Sequence, residues 1–255
     1  MADDVSRPIE RAPEVVTFDF WNTLIQEQSR IRDRRLDAWL GLLEGEATAV
    51  EREHLHDAMD RSWGHFQGAW RANLRYDAFD AVRDVLEHIG LEPPADIIDQ
   101  LVSVVTDPDP SWHPDPTPNI GDTLESIKSA GIRIGIICDV GLTPSRTLRR
   151  YLESHDLLGY FDHWSFSDEV GTFKPDPVIF HHALDGLGGA DPSAAAHVGD
   201  LRRTDIAGAQ RLGIYAVRYT GVSDDSGSGD PEVAGIEGDA VVSDHADLPG
   251  LLGLT

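Results

Sequence analysis

The groups best suited to chemistry in this chain sit just after short apolar runs. Val15-Val16-Thr17-Phe18 is followed by Asp19, with Thr23 four residues on. Ile132 to Ile137 runs into Cys138-Asp139, and Phe161 to Phe166 leads into a polar stretch containing Lys174-Pro175. Ala195 to Val198 ends at Gly199-Asp200, with Asp205 five residues further. Apolar runs rich in β-branched and aromatic residues suit strands buried on both faces. Open α/β sheets hold their ligands at the carboxyl ends of such strands. Acids, a lysine and a thiol at those ends are therefore reactive or polar groups placed where a ligand would be met. Taken singly, an Asp after a strand is an ordinary turn former, Asp205 an N-cap for the helix it precedes, and Lys174 a solvated loop charge. The lysine is conspicuous because the chain carries 19 Arg against only Lys128 and Lys174.

The elements that must position these groups can be read from the apolar spacing. Residues 1–13 form a polar leader, and the first strand follows Pro13. From Gln26 the pattern turns helical. Ile31, Leu36, Trp39, Leu40 and Leu43 mark one helix, and Leu55, Met59, Trp63, Phe66 and Trp70 a second. Phe79, Val82, Leu86 and Ile89 mark a third, and Ile97, Leu101 and Val105 a fourth after Pro93-Pro94. Five prolines between Asp107 and Pro118 exclude a regular helix or a central strand there, so this stretch is read as the return crossing. Beyond it, strands and helices alternate: a helix over Ile120 to Ala130, Pro175 to Leu187 and Asp205 to Leu212, with strands over 132–137, 161–166, 195–198 and 214–219, and a last strand near Ala240 to Val242. This rhythm predicts an α/β fold with a parallel sheet and helices on both faces. The expected domains are residues 1–25 with 115–255 for the α/β core, and 26–114 for an all-helical insert.

In their order the four strand ends resemble the haloacid dehalogenase superfamily. Asp19 with Thr23 matches its first motif, Cys138 falls at the Ser or Thr of the second, Lys174 with Pro175 matches the third, and Gly199, Asp200 and Asp205 match the fourth. The resemblance covers residues 15 to about 220. It implies a Rossmann-like catalytic core and makes the helical insert a cap domain that closes over the site and selects the substrate. It also implies Mg²⁺ held by Asp19, Asp200 and the backbone carbonyl of Trp21, with Asp205 orienting a ligating water or pairing with Lys174. Lys174 would hold the nucleophile and an anionic small-molecule substrate, and Cys138 and Asp139 would lie against a substrate oxygen. Three acids and one lysine in a single pocket are costly unless something neutralises them, and a divalent cation with oxygen ligands does so. The implied reaction is phosphomonoester hydrolysis: Asp19 attacks, an aspartyl-phosphate forms, and water releases it.

Two positions depart from the pattern. The family's phosphatases carry a second Asp two residues after the nucleophile, an acid–base group worth roughly 10²–10⁴-fold; here that position is Trp21, whose indole does not titrate usefully. An aromatic residue there is similar to the family's 2-haloacid dehalogenases, in which halide leaves without a proton, so C–halogen hydrolysis is one alternative. Cys138, a weak donor, and Asp139, where Asn is usual, add a second alternative: a non-catalytic or regulatory relative.

Composition narrows the partners. A formal net charge of −24 repels nucleic acid and anionic membrane, and no apolar run approaches the ~20 residues of a membrane span. A single cysteine excludes an intrachain disulfide, and the polar stretch Met1 to Arg11 lacks the core of a signal sequence, so a cytoplasmic protein is expected. Either a monomer or a homodimer is compatible. In the insert, Arg30, Arg32, Arg34 and Arg35 read as a solvated helix face, or as supplying one Arg to a distal substrate anion. Trp63, His65, Phe66 and Trp70 read mostly as core, with one or two lining a substrate site. His54, His56 and His113 read as surface residues.

Overall fold

The computed structural model describes residues 9, 11–26, 29–44, 50–225, 233 and 235–254. Most of the expected leader, and the Gly/Ser-rich part of the loop expected over Asp224 to Gly229, lie outside them. No helix among the described residues is long and apolar enough to cross a membrane.

Eight strands are present among the described residues: β1 (Val15–Phe18), β2 (Ile25–Gln26), β3 (Asp115–Pro116), β4 (Arg133–Cys138), β5 (His163–Phe166), β6 (Ala195–Gly199), β7 (Tyr215–Tyr219) and β8 (Ala240–Val242). Six of them form one parallel sheet in the order β5-β4-β1-β6-β7-β8. The apolar runs read from the sequence are these strands. Val15, Val16 and Phe18 are fully buried, as a central parallel strand covered on both faces requires. Each such side chain contributes roughly 1.5–3 kcal/mol by leaving water. Only the edge strand β8 alternates, with Val241 facing outward.

The helices are α1 (Ser29–Leu43), α2 (Arg52–Arg71), α3 (Ala78–Ile89), α4 (Ala95–Thr106), α5 (Ile120–Ser129), α6 (Ser145–Glu153), α7 (Ser167–Val170), α8 (Pro177–Gly186), α9 (Ala207–Arg211) and α10 (Leu248–Leu251). α8 starts as its sequence suggests: Pro177 occupies the first turn, where its missing N–H costs nothing, and the Asp176 side chain caps Val178 N–H. Its apolar face (Ile179, Phe180, Ala183, Leu184) packs with Val15, Ile137, Ala195, Ile206 and Ala216 into one core cluster. The proline-rich crossing holds no helix beyond a single short turn at Pro110–Trp112. It ends at β3, which pairs antiparallel with β2 just after the first motif.

The chain divides into two compact units: residues 1–27, 115–139 and 152–255 form one, and residues 28–114 with 140–151 the other. The sequence expectation left 140–151 with the α/β unit. The structure ties it to the helical one instead: Leu142 packs against the helical core, Thr147 Oγ1 donates to the Thr106 carbonyl, and Arg150 pairs with Asp107 at 2.5 Å.

In the helical unit, Leu36, Trp39, Leu43, Leu55, Val82, Leu86, Leu101 and Val105 meet in one core. α3 carries a capping box between Asp77 and Asp80. The periodic aromatics are not all interior. Trp63 is 47% exposed and stacks on the buried Phe66, and Phe79 is also exposed. Within the arginine run, Arg32 ties α1 to α2 by pairing with Asp60, and Arg34 donates to the Ser111 carbonyl at 2.9 Å. His65 meets Asp84 at 2.5 Å, and His113 lies edge-on to Tyr151.

Candidate active site

Counting only its own strands, the sheet runs outward from β1 in one direction and returns to start again at β6. β1 and β6 therefore flank the point where strand order reverses, where such sheets open a crevice at their carboxyl ends. Asp19 leaves β1 there, its backbone N–H continuing the ladder to the Val198 carbonyl at 2.8 Å. Asp200 leaves β6 one residue after its last member. Neither strand's own sequence brings these acids together; the β1–β6 register does, with Phe18 opposite Val198.

The segment after Asp19 is closed by its own backbone. The Phe20 carbonyl accepts the N–H groups of Leu24 and Ile25, at 2.9 and 3.1 Å, and Asn22 N–H reaches the Ile25 carbonyl at 2.7 Å. Asn22 has φ +57°, a left-handed conformation that Asn tolerates better than most residues. Trp21 is half-buried, its ring edge-on to Phe20 with centroids 5.2 Å apart. Thr23 is fully buried. Its carbonyl accepts from Thr117 Oγ1 at 2.7 Å and from the His245 ring at 2.8 Å, while its own hydroxyl has no partner among the described residues.

Lys174 is the centre of the cluster. Its ammonium, 3% exposed, reaches Asp19 Oδ1 at 2.5 Å, Asp205 Oδ1 at 2.6 Å and the Ile137 carbonyl at 3.0 Å. Those three bonds use all three of its protons. Burial works to lower its pKa, but the carboxylates of Asp19 and Asp205 more than offset this and hold it well above the usual lysine value. Asp139 accepts the backbone N–H of Lys174 at 2.9 Å, so this acid anchors the lysine's loop. Cys138 is fully buried, and burial together with the charge of Asp19 pushes its thiol well above the usual range, so it stays protonated.

Asp205 lies inside a π-helical turn, Arg202–Ile206, ahead of α9, and not at a helix N-cap. One oxygen accepts a hydrogen bond from Lys174 and lies 3.1 Å from His197 Nε2; the other accepts Leu201 N–H at 3.1 Å. Burial opposes ionisation, yet Lys174 and His197 hold Asp205 well below the ordinary carboxylate value. Gly199 must be glycine: a Cβ there would meet Asp205 Cγ at 2.4 Å. Sequence reasoning did not single out His197, although a polar residue inside an otherwise apolar strand was the available signal. It is fully buried, and Thr17 Oγ1 holds its other ring nitrogen at 2.9 Å. His245, also passed over, had no comparable signal. It stacks on Tyr219 with centroids 4.0 Å apart beneath the Thr23 carbonyl.

Oxygens of Asp19, Asp200 and Asp205 all lie within 4.8 Å of one another, and all three residues are buried. One ammonium faces three carboxylates, and the shortfall falls on the two acids at the strand ends. Burial raises Asp19 to about 7 in spite of Lys174. Burial and the charges of Asp19 and Asp205 push Asp200 well above its usual value. A buried, all-oxygen donor set with excess negative charge fits a hard divalent cation.

The haloacid dehalogenase-like hydrolase family model matches residues 13–213. The chain belongs to this family. Among curated proteins, the haloacid dehalogenase-like hydrolase domain-containing protein 3 of Bos taurus is 32% identical over 99 residues, 39% of this chain and 38% of that protein, so the match spans well under half of the relative. The glyceraldehyde 3-phosphate phosphatase of Methanopyrus kandleri is 26% identical over 80% of this chain and 83% of its own. Among solved structures, a 2-haloacid dehalogenase from Pseudomonas syringae pv. Tomato superposes with a TM-score of 0.63 at 26% identity, covering 94% of this chain and 98% of the other.

Proposed function

We propose that this haloacid dehalogenase-like hydrolase cleaves phosphomonoesters of small anionic metabolites with Mg²⁺, through an aspartyl-phosphate on Asp19. The observation that carries the reading is the buried set of three carboxylates closed around one ammonium. Asp19, Asp200 and the Trp21 backbone carbonyl would hold the ion, which supplies positive charge toward the phosphoryl oxygens. Lys174 holds one oxygen of Asp19 and favours its ionised form against burial; the other oxygen, as carboxylate, attacks phosphorus as the ester P–O bond breaks. Water then attacks the acyl-phosphate, releasing inorganic phosphate and restoring the Asp19 carboxylate. Asp205 and His197 fix the lysine and never exchange a bond with substrate.

Trp21 gives the leaving group no proton, so the chain favours esters whose alcohol departs readily as an anion. The similarity to the phosphatase of Methanopyrus kandleri supports the phosphoryl reading. The aromatic Trp21 and the likeness to a 2-haloacid dehalogenase support C–halogen hydrolysis as a second reading. The test is a panel of phosphorylated metabolites with and without EDTA, using Asp19→Asn as blank, run beside 2-haloacids with halide detection. Chelator-sensitive, Asp19-dependent phosphate release is expected. Halide release that survives EDTA would replace the first reading with the second, and silence in both arms would leave a binding protein.

A further inference from the structure

The three carboxylates of the site are not held alike. Asp205 takes hydrogen bonds on both oxygens, from Lys174 and His197 on one and Leu201 on the other. Asp19 is gripped by Lys174. Asp200 is 3% exposed, and among the described residues its side chain receives one hydrogen bond, from Ser223 Oγ to Oδ2 at 3.0 Å. Ser223 belongs to the segment that follows β7, and none of the four strand-end motifs includes it.

That segment is brought back to the site by a dedicated set of ties. Arg218, at 5% exposure the most buried arginine of the described residues, donates through Nη1 to Asp224 at 3.0 Å, the residue next to Ser223. Its Nε and Nη2 reach Glu237 at 2.5 and 3.1 Å. Arg202, two residues after Asp200, donates its backbone N–H to Asp225 at 2.9 Å, and its guanidinium reaches the Ile236 carbonyl and Glu237 at 3.1 and 3.0 Å. The two arginines thus tie Asp224 and Asp225, the residues after Ser223, and both also reach Glu237. Just before Ser223 the chain passes so close to its neighbours that a Cβ on Gly221 would lie 2.2 Å from the Tyr219 hydroxyl oxygen and 2.6 Å from the Ser243 carbonyl. Burying a guanidinium is costly unless its donors are matched, and here Nη1 is matched by the residue next to Ser223 while Nε and Nη2 are matched by Glu237.

We propose that Ser223 is a positioning residue for the metal ligand Asp200: its hydroxyl occupies Oδ2 and fixes the carboxylate rotamer so that Oδ1 is presented to the cation. The inference rests on the reading of Asp19 and Asp200 as Mg²⁺ ligands. Partners that orient a ligand typically change metal affinity by 10–100-fold when removed.

The experiment is calorimetric titration of Mg²⁺ into the full chain, together with urea unfolding in EDTA. Wild type is expected to bind one Mg²⁺. Ser223→Ala is expected to raise Kd about tenfold with an unchanged unfolding midpoint in EDTA, and Ser223→Thr, which keeps the hydroxyl, to restore affinity to within about twofold. Asp224→Asn, which slackens the tie to Arg218 and leaves both Ser223 and Asp200 in place, is expected to weaken binding by about threefold, and stands in if the alanine variant does not fold. Wild-type binding with equal affinity in all variants overturns the positioning role and leaves the metal reading intact. A lower unfolding midpoint for Ser223→Ala with unaltered Kd makes Ser223 purely structural and also overturns it. No Mg²⁺ binding by wild type overturns the metal reading, and this inference with it.

Discussion

His197 Nε2 lies 3.1 Å from Asp205 Oδ1, the same oxygen that accepts the Lys174 ammonium at 2.6 Å. A buried strand residue thus holds the acid of the π-helical turn, and through it the lysine that grips Asp19. Burial holds His197 below its ordinary pKa, so the neutral ring donates its Nε2 proton to the carboxylate while Thr17 donates to Nδ1. His197→Ala should lower unfolding free energy by about 3 kcal/mol, the sum of a hydrogen bond to a charged group and a buried ring. His197→Gln, which keeps an amide N–H, should lose roughly a third of that in urea denaturation.

Lys174→Met leaves three buried carboxylates without a cation. Breaking a buried ion pair from one side costs about 3–5 kcal/mol, and unfolding in EDTA should show a loss of that size. The double variant Lys174→Met with Asp205→Leu should be less destabilised than the two single losses added, because the second change removes a charge that the first leaves unpaired.

Burial and the neighbouring carboxylates make the charged form of Asp200 costly to the fold, a cost that bound Mg²⁺ would offset on the proposed reading. Asp200→Asn should therefore raise the melting temperature in EDTA by about 2–4 °C, as expected for roughly 1 kcal/mol in a chain of this size. It should also abolish any stabilisation by Mg²⁺, which on the proposed reading would be about 2.7 kcal/mol in wild type with the ion at 100 times its Kd. Differential scanning calorimetry with and without Mg²⁺ reads both effects.

His245 gives the fold an acid-sensitive point. Burial depresses its pKa to about 4, although the Thr23 carbonyl and Asp244 pull it upward. The unfolded chain binds this proton near pH 6.5 and the folded chain does not. The contribution is complete above about pH 6.5, falls as pH drops, and levels off below about 4, a total loss on the order of 3 kcal/mol. His245→Gln can still donate to Thr23 and does not titrate, so the difference in stability between wild type and variant should shrink across that window.

Trp21→Asp restores a carboxyl group where the family's phosphatases carry their acid–base residue. With alkyl phosphates it should raise kcat by about 10² or more, the lower range for general acid–base help. With aryl phosphates, whose leaving groups need no proton, the gain should be small. An equal effect on both substrate types would mean that Trp21 acts through shape alone.

Much of the fold was legible because burial leaves a simple trace. The β-branched and aromatic run Val15-Val16-Thr17-Phe18 before Asp19 reads as a strand covered on both faces, and prolines between 107 and 118 read as a crossing. Less was legible where a residue's neighbours lie far along the chain. Trp63 has the spacing of a core residue, yet nothing in its own helix says that this face lacks a covering partner. Asp205 reads as a helix cap because local rules know only the next three residues, whereas its acceptors are used by a lysine 31 residues away, a strand histidine and a loop N–H.

The sequence alone determined the order of strand ends, the acids and the lysine that follow them, and the tryptophan where a proton donor is usual, since these are properties of types and spacing. Tertiary structure alone decided which oxygens face one another. Register between β1 and β6 brings two carboxylates together, Lys174 spends its three protons on Asp19, Asp205 and the Ile137 carbonyl, and Ser223 returns from beyond β7 to hold Asp200. Electrostatic interaction depends on distance and burial, and neither is written along a chain until it folds.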